Sequence, residues 1–333
     1  GIEGYFDKLQ DLPEDAKQAV LSKEPLLISK ANRPSKVHRP ANPDLIAIKH
    51  FDSQGEVVGQ HYFIGLFTNE AYNRSTQTIP LLSEKVYKIL KMADFQINSH
   101  DGKAILNILE TIPRDDLFQG SVEDLYRIAM GILYLQERRR IKLFIRKDKF
   151  SHFFSCLVFV PRDKFNSNLR ITFSKILERE LKGKFVDFNT RFSESVLCRI
   201  HIIIQIDPKS VQVYDEMAIE ERLKEAARTW TDNLKEALLE HFGEEEGNRL
   251  IQIYGTAFPP GYKAAFPART GVYDISHIEL LSKENPLGMS FYRPIEEPEG
   301  HIRFKLFHRD EMLALSDVLP MLECMGLRII NER

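Results

Sequence analysis

Two stretches of this chain, residues 143–163 (LFIRKDKFSHFFSCLVFVPRD) and 290–310 (SFYRPIEEPEGHIRFKLFHRD), align without a gap at a constant offset of 147 positions, 290 minus 143. Phe144 falls on Phe291, Arg146 on Arg293, Leu157 on Phe304, Phe159 on Leu306, and Arg162-Asp163 on Arg309-Asp310. Self-similarity at a long period constrains a fold more than local propensity does, because each copy must build the same unit. In the first copy two apolar runs, 142–145 and 153–160, flank a polar turn. Pro161 has no amide to donate and closes the second strand. Asn166-Ser167-Asn168 then opens a helix whose Leu169, Phe173, Ile176, Leu177 and Leu181 recur at helical spacing up to Gly183. Strands are expected at 185–192 and 196–206, then a helix, giving the order ββαββα. The second copy repeats the hairpin, a helix at 316–325 stopped by Gly326, and a strand at 327–331. It lacks the last strand and helix. The expected fold class is α+β: an N-terminal domain of a hairpin and helices, followed by two ferredoxin-like modules, the second truncated.

With 333 residues the chain has room for two or three cores. The expected division is 1–140 for the N-terminal domain, 141–243 for the first module, 244–276 for an ordered linker broken by Gly and Pro, and 277–333 for the second module. In the first domain, a helix at 13–22 precedes an apolar 25–28 and a Pro/Asn-rich loop at 32–43. Strands at 44–49 and 57–67 turn around Asp52-Ser53-Gln54-Gly55, and helices follow from Pro80, from His100 and from the capping box at Ser121. The last of these ends in Arg138-Arg139-Arg140, charges that the helix dipole favours there. Strand 196–206 alternates, with Val196, Cys198, Ile200, Ile202, Ile204 and Ile206 on one face and Arg199, His201 and Gln205 on the other. That pattern predicts a sheet with one partly polar face, which Asp187 and Arg191 extend. Ile219, Leu223, Ala227, Trp230, Leu234, Leu238 and Phe242 predict one continuous helix over 216–242, about 40 Å long, whose far end reaches a neighbouring domain or subunit.

The net charge of −2 gives no electrostatic case for a nucleic-acid or anionic-membrane partner. No apolar run approaches the roughly 20 residues of a membrane span. Three cysteines without CxxC spacing exclude a disulfide framework and fit a reducing, cytoplasmic setting. The opening Gly1-Ile2-Glu3-Gly4 carries no initiator Met and no signal-peptide pattern, so an excised fragment is expected. Catalytic signatures are absent: no GxGxxG, P-loop, HExxH, GxSxG or paired metal-ligand spacing occurs. His100-Asp101 resembles half of a metal-phosphohydrolase pair, but it reads more simply as a helix start. Cys156 and Cys198 sit in strands as small hydrophobes, and Cys324 has no activating base beside it. Accordingly, no catalytic, cofactor-binding or metal residue is assigned. The candidate effector residues are Arg162, Asp163, Arg309 and Asp310, in two equivalent strand-to-helix loops. There an Arg fork and helix amides could receive a carboxylate, and the alternative is that Arg and Asp brace the loop by pairing with each other.

The blocks AYNRSTQTIPLLSEKVYKIL (71–90), SHDGKAILNILETIPRDDLFQ (99–119), FSCLVFVPRDKFN (154–166), residues 262–279, and LSDVLPMLECMGLRIINER (315–333) resemble the large bacterial NAD-specific glutamate dehydrogenases. The resemblance runs from about residue 44 to the end. It implies the region upstream of the catalytic domain, with modules similar to ACT domains whose last strand has moved to the front. It further implies a parent that oxidises L-glutamate with NAD, a homo-oligomer, a catalytic domain in the same chain as partner, and an amino-acid effector. The family's glutamate-binding lysine and dinucleotide fold lie outside this sequence, so no catalytic residue carries over. A stand-alone interaction module using its open sheet face, as RNA-binding ferredoxin-like domains do, would need exposed stacking aromatics and a basic face. A self-contained enzyme has no motif to rest on.

Overall fold

The first repeat folds into the hairpin β4 (Lys142–Lys147) and β5 (Phe153–Pro161), antiparallel, with Leu143 opposite Val158 and Phe144 opposite Leu157. The second repeat forms β8 (Leu287–Tyr292) and β9 (Arg303–His308), with Ser290 opposite Lys305 and Phe291 opposite Phe304. Adding 147 to each member of the first pairs gives the second pairs, so the repeat holds at the level of strand register. The structure is a computed structural model that describes residues 14–31, 35, 42–135, 138–192, 195–208, 213–293, 302–310 and 312–330. Contacts divide the chain between Ala227 and Arg228 into two units.

In the first unit, β4, β5, β6 (Lys184–Phe192) and β7 (Leu197–Gln205) form an antiparallel sheet of order β4-β5-β7-β6. The helix α7 (Ser167–Glu180) connects β5 to β6, and α8 (Glu216–Ala226) follows β7. One sheet face, with Leu143, Ile145, Cys156, Val158, Ile200, Ile202 and Ile204, packs against Phe173 and Leu177 of α7 and Leu223 of α8. Asn166 caps α7 by accepting the Leu169 amide at 2.8 Å. Gly183 does not itself supply the left-handed stop, since Lys182 takes that conformation at φ 49°. Gly183 is needed because a Cβ there would stand 2.4 Å from the Ile204 side chain.

The opposite sheet face was expected to be open and partly polar, and here the structure differs. Phe144 and Leu157, with Phe159 at their edge, pack into a second core with α3 (Pro80–Met92), α4 (His100–Thr111), α5 (Arg114–Gln119) and α6 (Val122–Leu135). This explains why β5 reads as an unbroken apolar run: it is covered on both sides. Helix α6 comes so close that a Cβ on Gly131 would lie 2.4 Å from the Phe144 ring. Ahead of these helices, β1 (Leu26–Lys30) joins β2 (Asp44–Phe51) and β3 (Val57–Gly65) in a three-stranded sheet. Residues 25–28 thus begin a third strand beside the expected hairpin, backed by α1 (Glu14–Leu21). The short α2 (Asn69–Asn73) leads on to α3.

The single helix expected over 216–242 is two. Helix α8 ends at Ala226, and α9 (Trp230–Phe242) starts afresh behind Thr229. The Thr229 hydroxyl accepts the Asp232 amide at 3.1 Å, and the Asp232 carboxylate accepts the Thr229 amide at 2.8 Å. This capping box outweighs the apolar stripe that runs across it. The 40 Å length, and the contact inferred from it, therefore lapse. The expected linker 244–276 is helical too, forming α10 (Glu244–Tyr254), α11 (Pro260–Ala265) and α12 (Ala268–Glu279). Leu250, Val272 and Ile275 pack with Leu234 and Leu238 of α9 into a core of their own. The hairpin β8–β9 and the helix α13 (Leu315–Cys324) complete the second unit. The strand expected at 327–331 is not formed over 327–330, and Asn331 lies outside the described residues. In the first module the corresponding strand, β6, is an edge strand bonded only to β7.

Candidate functional site

The covered polar face of the first module gathers polar and charged residues from four elements. Arg146 of β4 donates from Nε (2.9 Å) and Nη2 (2.6 Å) to Oδ1 of Asp116 on α5, and from Nη2 to Gln119 at 3.0 Å. The other Asp116 oxygen accepts the Ser155 hydroxyl of β5 at 2.9 Å. His201 of β7 lies with Nε2 2.8 Å from Ser155 Oγ and 3.6 Å from Asp116 Oδ2. Burial opposes the charge on Asp116, but Arg146, His201 and Ser155 outweigh it and hold the carboxyl below its usual 3.8. Burial likewise works against Arg146, and Asp116 reverses it, keeping the guanidinium charged. His201 goes the other way: burial first, helped by Arg199 and Arg146, pushes it below 6.5 against the pull of Asp116.

A serine, a histidine and an aspartate within hydrogen-bonding reach invite a hydrolase reading, which the geometry refuses. Ser155 donates its proton to Asp116, the histidine and the carboxylate sit on the same side of that hydroxyl, and Ser155 is only 2% exposed. A nucleophile needs a base that accepts its proton and an open approach to substrate. The cluster instead locks the helical layer onto the sheet. Sequence reading missed Asp116, Gln119 and Ser155. The visible signal was Arg146, a charge inside an otherwise apolar strand, which when buried requires a partner.

The expected effector loops are separate from this cluster. Arg162 and Asp163 are exposed, and the Arg162 guanidinium lies 5.7 Å from the Phe192 ring centre. The amides at the head of α7 are met in part by Asn166. In the second module Arg309 donates to Asp310 at 3.3 Å and to the Leu281 carbonyl at 3.4 Å, the bracing arrangement, with Asp310 at φ 69°. Of the other residues singled out, Cys156 and Cys198 are buried and their thiols are pushed up by burial, Cys198 to about 11. His100 is exposed at the start of α4, where Ser99 provides the cap by accepting the Gly102 amide at 3.0 Å. Among the described residues no group of three or more His, Cys, Asp or Glu is placed to hold a metal, and no helix is long and apolar enough to cross a membrane.

The second unit has an open groove of about 1110 Å³ whose lining includes Trp230, Glu236, Glu240, Lys263, Phe266 and Arg269. Close to its Phe266 wall, Lys305 of β9 bonds Asp274 of α12 at 2.6 Å, and its ammonium stands 4.2 Å from the Phe266 ring centre. Tyr262 also donates to Asp274. These bonds tie the second hairpin to its helices. The first cluster has no copy here, since Ile302 stands where Ser155 would fall (155 + 147).

Four family models match in succession: "Glutamate dehydrogenase, helical motif 1" over 79–138, "ACT2 domain" over 142–231, "helical motif 2" over 237–281 and "ACT3 domain" over 286–333. A NAD-specific glutamate dehydrogenase of Halomonas elongata is 45% identical over 330 residues, 99% of this chain. Along nearly its whole length the chain matches one region of the NAD-specific glutamate dehydrogenases. The corresponding proteins of Pseudomonas aeruginosa and Mycobacterium tuberculosis are 41% and 31% identical, over 96% and 92% of this chain. The chain spans 20% of the length of the Halomonas and Pseudomonas proteins and 19% of the Mycobacterium one. Within this glutamate dehydrogenase region, the helical layer over the first sheet is helical motif 1 and the helices of the expected linker are helical motif 2.

Proposed function

We propose that this chain is a non-catalytic regulatory and subunit-assembly region of an NAD-dependent glutamate dehydrogenase. The complete enzyme converts L-glutamate, NAD and water to 2-oxoglutarate, ammonia and NADH. The observation that carries the reading is the buried Asp116–Arg146–Ser155–His201 lock. It commits a buried Ser-His-Asp grouping to holding helical motif 1 against the ACT2 sheet, closed to any substrate. No glycine loop able to cradle a pyrophosphate occurs in the sequence. Titration of the 333-residue chain with NADH, followed by nicotinamide fluorescence, is expected to give no saturable change. Micromolar binding would refute the reading.

A regulatory contribution is supported by the exposure of the Arg162-Asp163 loop at the head of α7, where a carboxylate can approach an arginine and helix amides together. In the full-length enzyme, Arg162→Ala is expected to remove any amino-acid activation or inhibition while basal turnover persists. Unchanged effector response with loss of thermal stability would assign the loop to bracing alone.

A further inference from the structure

Arg191 of β6 and Arg199 of β7 are direct cross-strand partners on the face that carries His201. Like charges opposite one another in a sheet are destabilising unless something neutralises them. Among the described residues neither arginine forms an ion pair. Both donate instead to one acceptor, the carbonyl of Thr111 at the end of α4, Arg191 at 3.4 Å and Arg199 more closely. Arg199 Nε is buried with no hydrogen-bond partner. Burial, then the neighbouring Arg191, pull the Arg199 guanidinium down to about 10. The Arg199 guanidinium thus keeps an unmet donor on its planar fork, and Arg191 and Asn189 beside it on β6 are exposed, so the pair is open to solvent on its Arg191 side.

We propose that the Arg191–Arg199 pair is an anion site for a carboxylate, which bridges the two guanidiniums beside the end of α4. A carboxylate matches the fork in shape and charge. A phosphate dianion is disfavoured, because Asp116 is within electrostatic reach of Arg199 and repels added negative charge. The carboxylate comes either from a small free acid or from an acidic side chain of a second copy of this chain. The site is distinct from the Arg162 and Arg309 loops and does not depend on their role.

Isothermal titration of the 333-residue chain at low salt, which limits screening, tests the proposal with glutarate and with inorganic phosphate as probes. Glutarate is expected to bind with a Kd on the order of millimolar, phosphate more weakly. Arg191→Gln and Arg199→Lys are each expected to weaken glutarate about tenfold or more through loss of the bidentate fork. Arg191 is exposed, so its variant keeps the fold, which an unchanged melting curve verifies. If glutarate gives no heat but light scattering shows self-association that Arg191→Gln abolishes, the carboxylate is supplied by a second copy. The proposal fails if neither response is seen, if phosphate binds as well as glutarate, or if Arg191→Gln changes neither glutarate binding nor self-association.

Discussion

At the scale of single residues, the buried lock makes sharp demands. Asp116 and Arg146 are 2% and 4% exposed, so removing one partner strands a charge in the interior. Asp116→Ala is expected to cost about 3–5 kcal/mol in chemical denaturation, whereas the double change Asp116→Leu/Arg146→Met should cost far less, because no ion is left unpaired. His201 gives the lock a pH signature. Its folded value lies below 6.5, so as pH falls through 6.5 the unfolded chain takes up a proton before the folded one. Stability from this residue is therefore complete above pH 6.5 and declines as pH drops toward the folded value. Asp116, held below 3.8, contributes above that pH and is lost only at stronger acidity. Urea denaturation over this range should show the decline beginning near pH 6.5 in the native chain and reduced in His201→Gln, with a remainder from His152, whose folded value burial also lowers.

At the scale of elements, what was legible in the sequence is what local pattern and the repeat determine. The alternation of Cys198, Ile200, Ile202 and Ile204 names the face toward α7, and the offset of 147 carries strand register from one hairpin to the other. What stayed hidden depends on partners distant in sequence. Arg199 and His201 looked like a free polar face because nothing nearby in sequence says that α4 and α5, some eighty residues earlier, lie over them. The break at Thr229 was written locally in Thr229-Trp230-Thr231-Asp232 but masked by a longer apolar stripe. Thr229→Ala should lower stability by about 0.5–2 kcal/mol, the usual worth of an N-cap. In the same scan, Gly131→Ala should cost roughly 1–3 kcal/mol, since its methyl would overlap the Phe144 ring where α6 meets β4.

At the scale of the whole molecule, the two copies of one module are in different physical situations. The first has both sheet faces covered over β4, β5 and β7, and its core residues Phe154, Ile200, Ile202 and Ile204 are fully buried. The second keeps the hairpin and a helix, but Phe291 is 58% exposed, Met289 61%, Met321 69% and Met325 74%. Stability scales with apolar area removed from water, at about 25 cal/mol per Å², so the same topology is worth much less where its faces are bare. The division at Ala227/Arg228, with a fresh helix cap just beyond it, allows the difference to be measured directly. Residues 1–227 and 228–333, expressed separately and followed by circular dichroism on heating, should behave unlike each other. The first should melt in one cooperative transition. The second should keep its helical signal, contributed by α9, α10 and α12 around their own core, yet melt at lower temperature with a shallow transition and bind a hydrophobic dye through the uncovered hairpin. Equal melting temperatures with equal cooperativity would mean that the bare faces of β8–β9 and α13 cost the second unit nothing, against the asymmetry in burial.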